Sequence, residues 1–359
     1  MKILSLTLLQ FRNYEEESFS PAPGVNILLG ENAQGKTNLL EAIFLCCLGR
    51  SHRTPREREL IRYEQPLSSV LLRCEKGGVT RTIRVSLSQE QRRRVFLDSL
   101  PVQNIGELMG QLNCVLFAPE HLSIVKQGPS ERRRFIDMEI SQTYPSYFYA
   151  LQQYAHILRQ RNNLLKALSG DASLLSTLPA WDEQMAKTAA FLIRQRRLFL
   201  EKLSALARRN HLEISGQKEE LLLKYEPNLG EEDPAAFLSA LERGRKNDLR
   251  LLSSQIGPHR DDFALFLNGK DLRSFGSQGQ QRTAALALKL SELDLIHQET
   301  GEWPVLMLDD VLSELDAARQ GFLLERVLPV QTFLTTALSV EKLRGVSLFL
   351  VENGHVRQV

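Results

Sequence analysis

Eight residues near the start of the chain, Gly30-Glu31-Asn32-Ala33-Gln34-Gly35-Lys36-Thr37, have the types and spacing of a phosphate-binding P-loop. Glycines let backbone N–H groups turn inward around an anion, at the positive end of the helix that follows. Lys36 is placed to reach the β- and γ-phosphates of a nucleotide, and the Thr37 hydroxyl to ligate magnesium. A second group, Val305-Leu306-Met307-Leu308-Asp309-Asp310, sets two carboxylates at the end of an apolar run. Asp309 is the natural partner of the magnesium, and Asp310 is placed to act as base or orienter toward an attacking water. A third, Ser274-Phe275-Gly276-Ser277-Gln278-Gly279-Gln280-Gln281-Arg282, is small and polar and opens a helix. Its backbone N–H groups are expected to form a nest for an anion. Thirty residues (309 − 279) separate Gly279 from Asp309.

Such groups need rigid elements to hold them. Val25–Leu29 reads as a short strand ending at Gly30, and residues 38–48 as a buried helix stopped by Gly49. Residues 305–308 read as a buried parallel strand, which delivers its terminal side chains to the ligand edge of a sheet. These two strands are expected side by side, in an α/β fold whose mixed sheet core is built from both ends of the chain. Residues 69–98 alternate, with Ile83, Val85 and Leu87 on one face and a turn at Gly77-Gly78, which predicts an antiparallel meander. Cys114–Phe117 is a further strand, and the third group predicts a helix over 283–296. Between lie two helical segments, 146–168 and 181–209, separated by Ser169-Gly170-Asp171 and Pro179. They are expected to pair as an antiparallel hairpin roughly 30–45 Å long. Glu231–Asp233 with Pro234 reads as a linker or helix start, and 263–267 as a strand before an Asn268-Gly269 hairpin turn. The expected organisation is an ATPase core in two parts, 1–121 and 255–359, with a helical lobe inserted over 122–254.

At 359 residues, 43% hydrophobic and 25% charged, the chain has material for two or three packed regions, which excludes a disordered or collagen-like polymer. A formal charge of +2 excludes a basic arm, so nucleic-acid affinity must come from where arginines cluster: Arg50, Arg53, Arg56, Arg58 and Arg62; Arg92 to Arg94; Arg132 to Arg134. Any single run also reads as a solvated face, and Arg132 to Arg134 also as packing. Four cysteines without Cys-x-x-Cys spacing read as buried free thiols of a reducing compartment. The N-terminus alternates too early for a signal peptide, and no apolar run approaches the roughly 18–20 residues of a membrane span. The expectation is a soluble cytoplasmic protein. His52, His121 and His259 read first as hydrogen-bonded structural residues.

The order of P-loop, Ser277-x-Gly279-Gln280, acidic strand end and Ser313-Glu314-Leu315-Asp316 resembles that of the ABC ATPases. Further runs are Phe11-Arg12-Asn13-Tyr14, Ser51-His52-Arg53-Thr54, Phe117-Ala118-Pro119-Glu120-His121-Leu122, Ser130-Glu131-Arg132-Arg133-Arg134-Phe135 and Gly257-Pro258-His259-Arg260-Asp261-Asp262. With them, almost the whole chain is similar to the RecF family of bacterial recombination-repair ATPases, relatives of the SMC proteins. The resemblance implies an ABC-type ATPase head that shares ATP and Mg2+ between two subunits. Lys36, Thr37, Asp309 and Asp310 of one copy would hold the nucleotide, and Ser277, Gly279 and Gln280 of the other would close over its γ-phosphate. It also implies nucleotide contacts from Arg12 and Asn13, a phosphate-approaching Arg53, and Asp316 reaching across the seam. The helical hairpin becomes either a packed lobe or a shortened SMC-like arm clamping DNA. Implied partners are duplex or gapped DNA, an ATP-dependent homodimer, and the RecO and RecR mediators that support RecA loading in replication restart and the SOS response. The strand 332–334 runs into Thr335-Thr336-Ala337 where ABC ATPases usually place a His, and Asp310 stands where they carry Glu. Both departures point to slow turnover, a switch rather than a motor.

Overall fold

The computed structural model describes residues 1–168, 170–337 and 346–359, so Ser169 of the expected turn lies outside the described residues. Contacts divide the chain into two units, Met1–His121 with Lys289–Val359, and Leu122–Leu288. The second unit runs beyond residue 254, and the division falls inside the helix Gln278–Thr300.

The first unit holds two six-stranded sheets. One is antiparallel, in the order Tyr14–Phe19, Lys2–Phe11, Leu67–Lys76, Val79–Ser88, Arg94–Leu97, Leu100–Pro101. The expected meander is present, with Ile83, Val85 and Leu87 buried, and two N-terminal strands extend it. The other sheet runs His355–Gln358, Val346–Glu352, Val25–Leu29, Thr332–Thr336, Val305–Asp309, Cys114–Phe117. All its pairs are parallel except the terminal hairpin. Every residue of Val305–Asp309 and Thr332–Thr336 is buried, as strands covered on both faces require.

This order corrects one expectation. The P-loop strand and the acidic strand are not neighbours, because Thr332–Thr336 pairs with both. Two strand spacings, about 10 Å, therefore separate them. Apolar runs identify which strands are buried but not their sequence across the sheet. The gap is closed by the helix Lys36–Leu48, which touches Thr332–Thr336, Val305–Asp309 and Cys114–Phe117. That helix is buried along nearly its whole length. It starts at Gly35, whose φ of 117° suits only glycine and where a Cβ would press on Tyr14 and Asn13.

The second unit packs the helices Pro129–Thr143, Pro145–Ala167, Leu178–Ile214 and Pro234–Leu251 with a three-stranded antiparallel sheet, Lys270–Asp271, Asp262–Leu267, Leu221–Glu226. The expected helical pair is Pro145–Ala167 against Leu178–Ile214. The latter has 37 residues, about 55 Å, and so exceeds the expected length. Pro179 does not bound it; it sits in the first turn, where its missing N–H is not needed. Asp233 caps Pro234–Leu251 by accepting the Ala236 N–H at 3.0 Å, which makes 231–234 a helix start. The strand Leu221–Glu226 escaped the sequence reading, although buried Leu221 and Leu223 alternate with exposed Leu222 and Lys224.

Several arginines are internal ties of this unit. Arg132 is buried and forks onto Asp262, with both N–O distances 2.6 Å. Arg133 donates to the Asp261 carbonyl at 2.7 Å, while Arg134 is exposed. Asp261 accepts from Arg196 at 3.0 Å and from the Asn228 N–H at 2.8 Å, and His259 bonds Tyr154 at 2.7 Å. Gly257 to Asp262 is therefore a structural knot.

Candidate nucleotide-binding site

The P-loop rims a cavity of about 450 Å³ whose lining includes Lys36, Thr37, Arg53, Glu120, Asp309 and Asp310. No side chain caps the helix that starts there, so its first N–H groups face the cavity as unused donors. Lys36 Nζ donates to the carbonyls of Gly30 at 2.6 Å and Glu31 at 2.7 Å. Burial lowers its pKa, against the opposing pull of Asp310 and Asp309. Asn32, Ala33 and Gly35 also line the cavity, and Gln34 turns outward to accept the Asn353 N–H at 2.7 Å.

Thr37 Oγ1 donates to Asp309 Oδ1 at 2.9 Å, so the P-loop helix and the acidic strand meet despite the strand between them. The same oxygen accepts from Thr335 Oγ1 at 2.7 Å, and Thr335 Oγ1 accepts the Asp310 N–H at 2.9 Å. One hydroxyl thus locks both aspartates. Thr335 was not singled out from sequence, because its position was read for a missing imidazole. Asp310 takes φ 51° and projects an exposed carboxylate that has no hydrogen-bond partner among the described residues. A hydroxyl and a carboxylate at 2.9 Å are hard oxygen donors that fit Mg2+. No group of three His, Cys, Asp or Glu that could hold a metal occurs among the described residues, so phosphate oxygens and water would complete the coordination.

Arg12 and Asn13 form the turn between the first two strands, beside the P-loop. Asn13 donates to the Gln34 carbonyl at 2.9 Å and accepts from Asn38 at 2.7 Å. Arg12 grips the buried Glu41 with two bonds of 2.8 Å. Arg53 bonds Asn38 at 2.9 Å and lies 3.6 Å from Glu41. His52 sits edge-on to Phe44, and burial pushes its pKa down to about 4. Two residues that the family runs contain were given no role from sequence: Glu120, which lines the cavity from the short turn Pro119–Leu122 after its strand, and Tyr14, whose hydroxyl donates to the Gly35 carbonyl at 3.0 Å.

The Ser277 group belongs to the second unit. Its helix begins at Gln278, five residues before the expected start. Ser277 Oγ accepts the Gln280 N–H at 3.2 Å and Gln280 Oε1 accepts the Ser277 N–H at 2.9 Å, a reciprocal capping box. Gln280 Nε2 also donates to Glu219 at 2.7 Å. Ser277 and Gly279 remain exposed. Asp316 caps the helix Ala317–Val327 by accepting the Arg319 N–H at 3.0 Å.

Comparison with known proteins adds to this geometry. The family model described as RecF/RecN/SMC N terminal domain matches residues 2–346. The DNA replication and repair protein RecF of Lachnoclostridium phytofermentans is 44% identical over 335 residues, 93% of this chain and 92% of that protein. The chain belongs to the RecF family. A RecF of Alkaliphilus oremlandii is 42% identical over 99% of this chain and 100% of its own length. Among solved structures, one titled as the recombination mediator protein RecF with ATPrS in the RecFOR pathway has a TM-score of 0.92 and 35% identity, covering 100% of this chain and 98% of that one. An SMC head bound to a ScpA domain matches at TM-score 0.57 and 17% identity, covering 100% of this chain and 97% of that one, which is a likeness of fold alone. The RecF-family fold is that of an SMC-like ABC-type ATPase head. No described helix is long and apolar enough to cross a membrane.

Proposed function

We propose that this RecF-family chain is an ATP-dependent DNA-binding switch of recombinational repair and replication restart. The supporting observation is the meeting of Thr37 and Asp309 at 2.9 Å beside an uncapped helix N-terminus and the free carboxylate of Asp310. Residues Gly30 to Thr37 cradle the triphosphate of ATP; Asn13 braces the loop through the Gln34 carbonyl, whereas Arg12, expected with Asn13 as a nucleotide contact, is bonded to Glu41 and the Glu59 carbonyl. Thr37 and Asp309 hold Mg2+, which when bound supplies charge neutralisation for the phosphates. Asp310 holds the attacking water and takes its proton. Lys36 leaves the carbonyls of Gly30 and Glu31 for the β- and γ-phosphates.

Ser277, Gly279 and Gln280 of a second copy cap the γ-phosphate. The capping box fixes that turn in advance, so its closure costs little ordering. In this reading 255–288 acts with the ATPase core although its contacts are with the lobe. ATP joins two copies on duplex or gapped DNA, and slow, DNA-stimulated hydrolysis releases them. The partners are RecO and RecR, the outcome RecA loading during the SOS response, and the compartment the cytoplasm. The support for these is family membership and the likeness to the RecF mediator structure of the RecFOR pathway.

The test is mass measurement by light scattering, with and without ATP and duplex DNA. The wild type doubles in mass with ATP. Ser277→Arg binds ATP normally and stays monomeric; if it dimerises, the shared-site reading fails.

A further inference from the structure

Glu41 is fully buried within the P-loop helix, yet it is the focus of a polar network that reaches the cavity rim. Arg12 holds it through two bonds of 2.8 Å, Nε to Oε2 and Nη2 to Oε1. Ser51 donates its hydroxyl to Oε1 and accepts the backbone N–H groups of Arg53 at 3.0 Å and Thr54 at 3.1 Å. This pins the loop that carries Arg53. Arg53 itself stands only 3.6 Å from Oε2, is 42% exposed, and lines the cavity.

Two guanidiniums therefore share one carboxylate, and they share it unequally. Arg12 saturates it in a forked geometry, which leaves Arg53 a loose electrostatic contact and one bond to Asn38 at 2.9 Å. Burial works to raise the Glu41 pKa, but the bonds from Arg12 and Ser51 outweigh it and the pKa is lowered, so the group is ionised at neutral pH. The local sum is one surplus positive charge, carried by the more exposed arginine, beside a cavity rimmed by helix N–H donors.

We propose that Glu41 is a positioning residue that parks Arg53 at the cavity rim, ready to exchange this weak contact for the terminal phosphate of ATP. This rests on the ATP-binding reading above. It adds the carboxylate that sets the loop's position and makes the chain prefer a triphosphate to a diphosphate. Arg12 stays on Glu41 throughout and keeps the carboxylate from being left unpaired when Arg53 departs.

The test is a double-mutant cycle on Glu41→Gln and Arg53→Ala, reading Kd for ATP and for ADP by calorimetry with magnesium present. Each single variant should weaken ATP about tenfold, a coupling within the range seen for residues of one network. ADP should change less than about twofold. The double variant should be no weaker than either single one, and Glu41→Asp should recover part of the loss. Ser51→Ala, which unpins the same loop without stranding a charge, gives the same readout if Glu41→Gln does not fold. Equal losses for ATP and ADP, or losses that multiply in the double variant, overturn the proposal and leave the ATP-binding reading standing. A wild type that binds no ATP overturns both.

Discussion

Replacing Thr335 with Val keeps the shape of a buried side chain and deletes a hydroxyl with two bonds. Asp309 loses a donor at 2.7 Å but keeps Thr37 at 2.9 Å. The Asp310 N–H loses its acceptor at 2.9 Å in a turn held at φ 51°. A bond to an ionised group contributes about 1.5–3 kcal/mol, and an orphaned N–H costs about 1–3 kcal/mol when water cannot reach it. Asp310 is exposed, so water rescues part of the second term. The expected loss is about 2 kcal/mol, roughly a thirtyfold shift in the unfolding equilibrium. Urea denaturation followed by tryptophan fluorescence reads that loss, because Trp303 lies in the same unit. If Asp310 serves as the proposed base, Thr335→Val should be at least about tenfold slow in single-turnover hydrolysis, because the bond that fixes the Asp310 backbone is gone. Its ATP affinity should hold within about threefold. Thr335→Ser should restore both. A variant that unfolds at the wild-type urea midpoint and hydrolyses at the wild-type rate would show that the hydroxyl does not organise the aspartates.

Lys36→Arg should retain weak ATP binding and lose hydrolysis, because a planar guanidinium cannot reproduce the two contacts of the compact ammonium; phosphate release from bound ATP checks it. His52, with its folded pKa near 4, is neutral in the fold but takes a proton in the unfolded chain below about pH 6.5. Its contribution is therefore present above pH 6.5 and lost on going down toward pH 4, by up to about 3 kcal/mol. Stability–pH curves of His52→Phe should be flatter than wild type over that window, and parallel curves would refute the assignment. On DNA, Arg58 and Arg92 are exposed with no ion-pair partner among the described residues, whereas Arg62 is tied to Glu15 at 2.6 Å. Removing Arg58 or Arg92 should lower duplex affinity and the salt slope by about one ion each, and removing Arg62 should do less. A wild-type salt slope near zero would count against backbone binding altogether.

What could be read from the chain, and what could not, follows from how far each signal reaches. The P-loop and the acidic strand end were legible because their signals lie in adjacent residues: position 35 needs glycine for its φ of 117° against Tyr14, and four apolar residues running into Asp309-Asp310 fit a short buried strand with an acidic end. The order of strands was not legible, since Val25–Leu29, Thr332–Thr336 and Val305–Asp309 are all short and almost wholly buried, and nothing in their residues says which occupies the centre. That ambiguity hid Thr335. Only when its strand lies between the other two does its hydroxyl fall on Asp309, and a Thr at the end of a buried strand reads in sequence as ordinary β-branched packing. Glu41 was hidden the other way round. A charged residue inside an apolar helix is a local conflict that must be paired, and its partner Arg12 is 29 residues away in the turn before the P-loop. Where a sequence places a carboxylate among Leu39, Leu40, Ala42 and Ile43, the physical question is which cation it meets. Here the answer links the N-terminal turn to the helix that rims the cavity. The arginine runs show the limit of composition as a guide to nucleic-acid contacts. Arg132 and Arg133 are spent on Asp262 and the Asp261 carbonyl, so of that run only Arg134 remains exposed to meet a phosphate backbone.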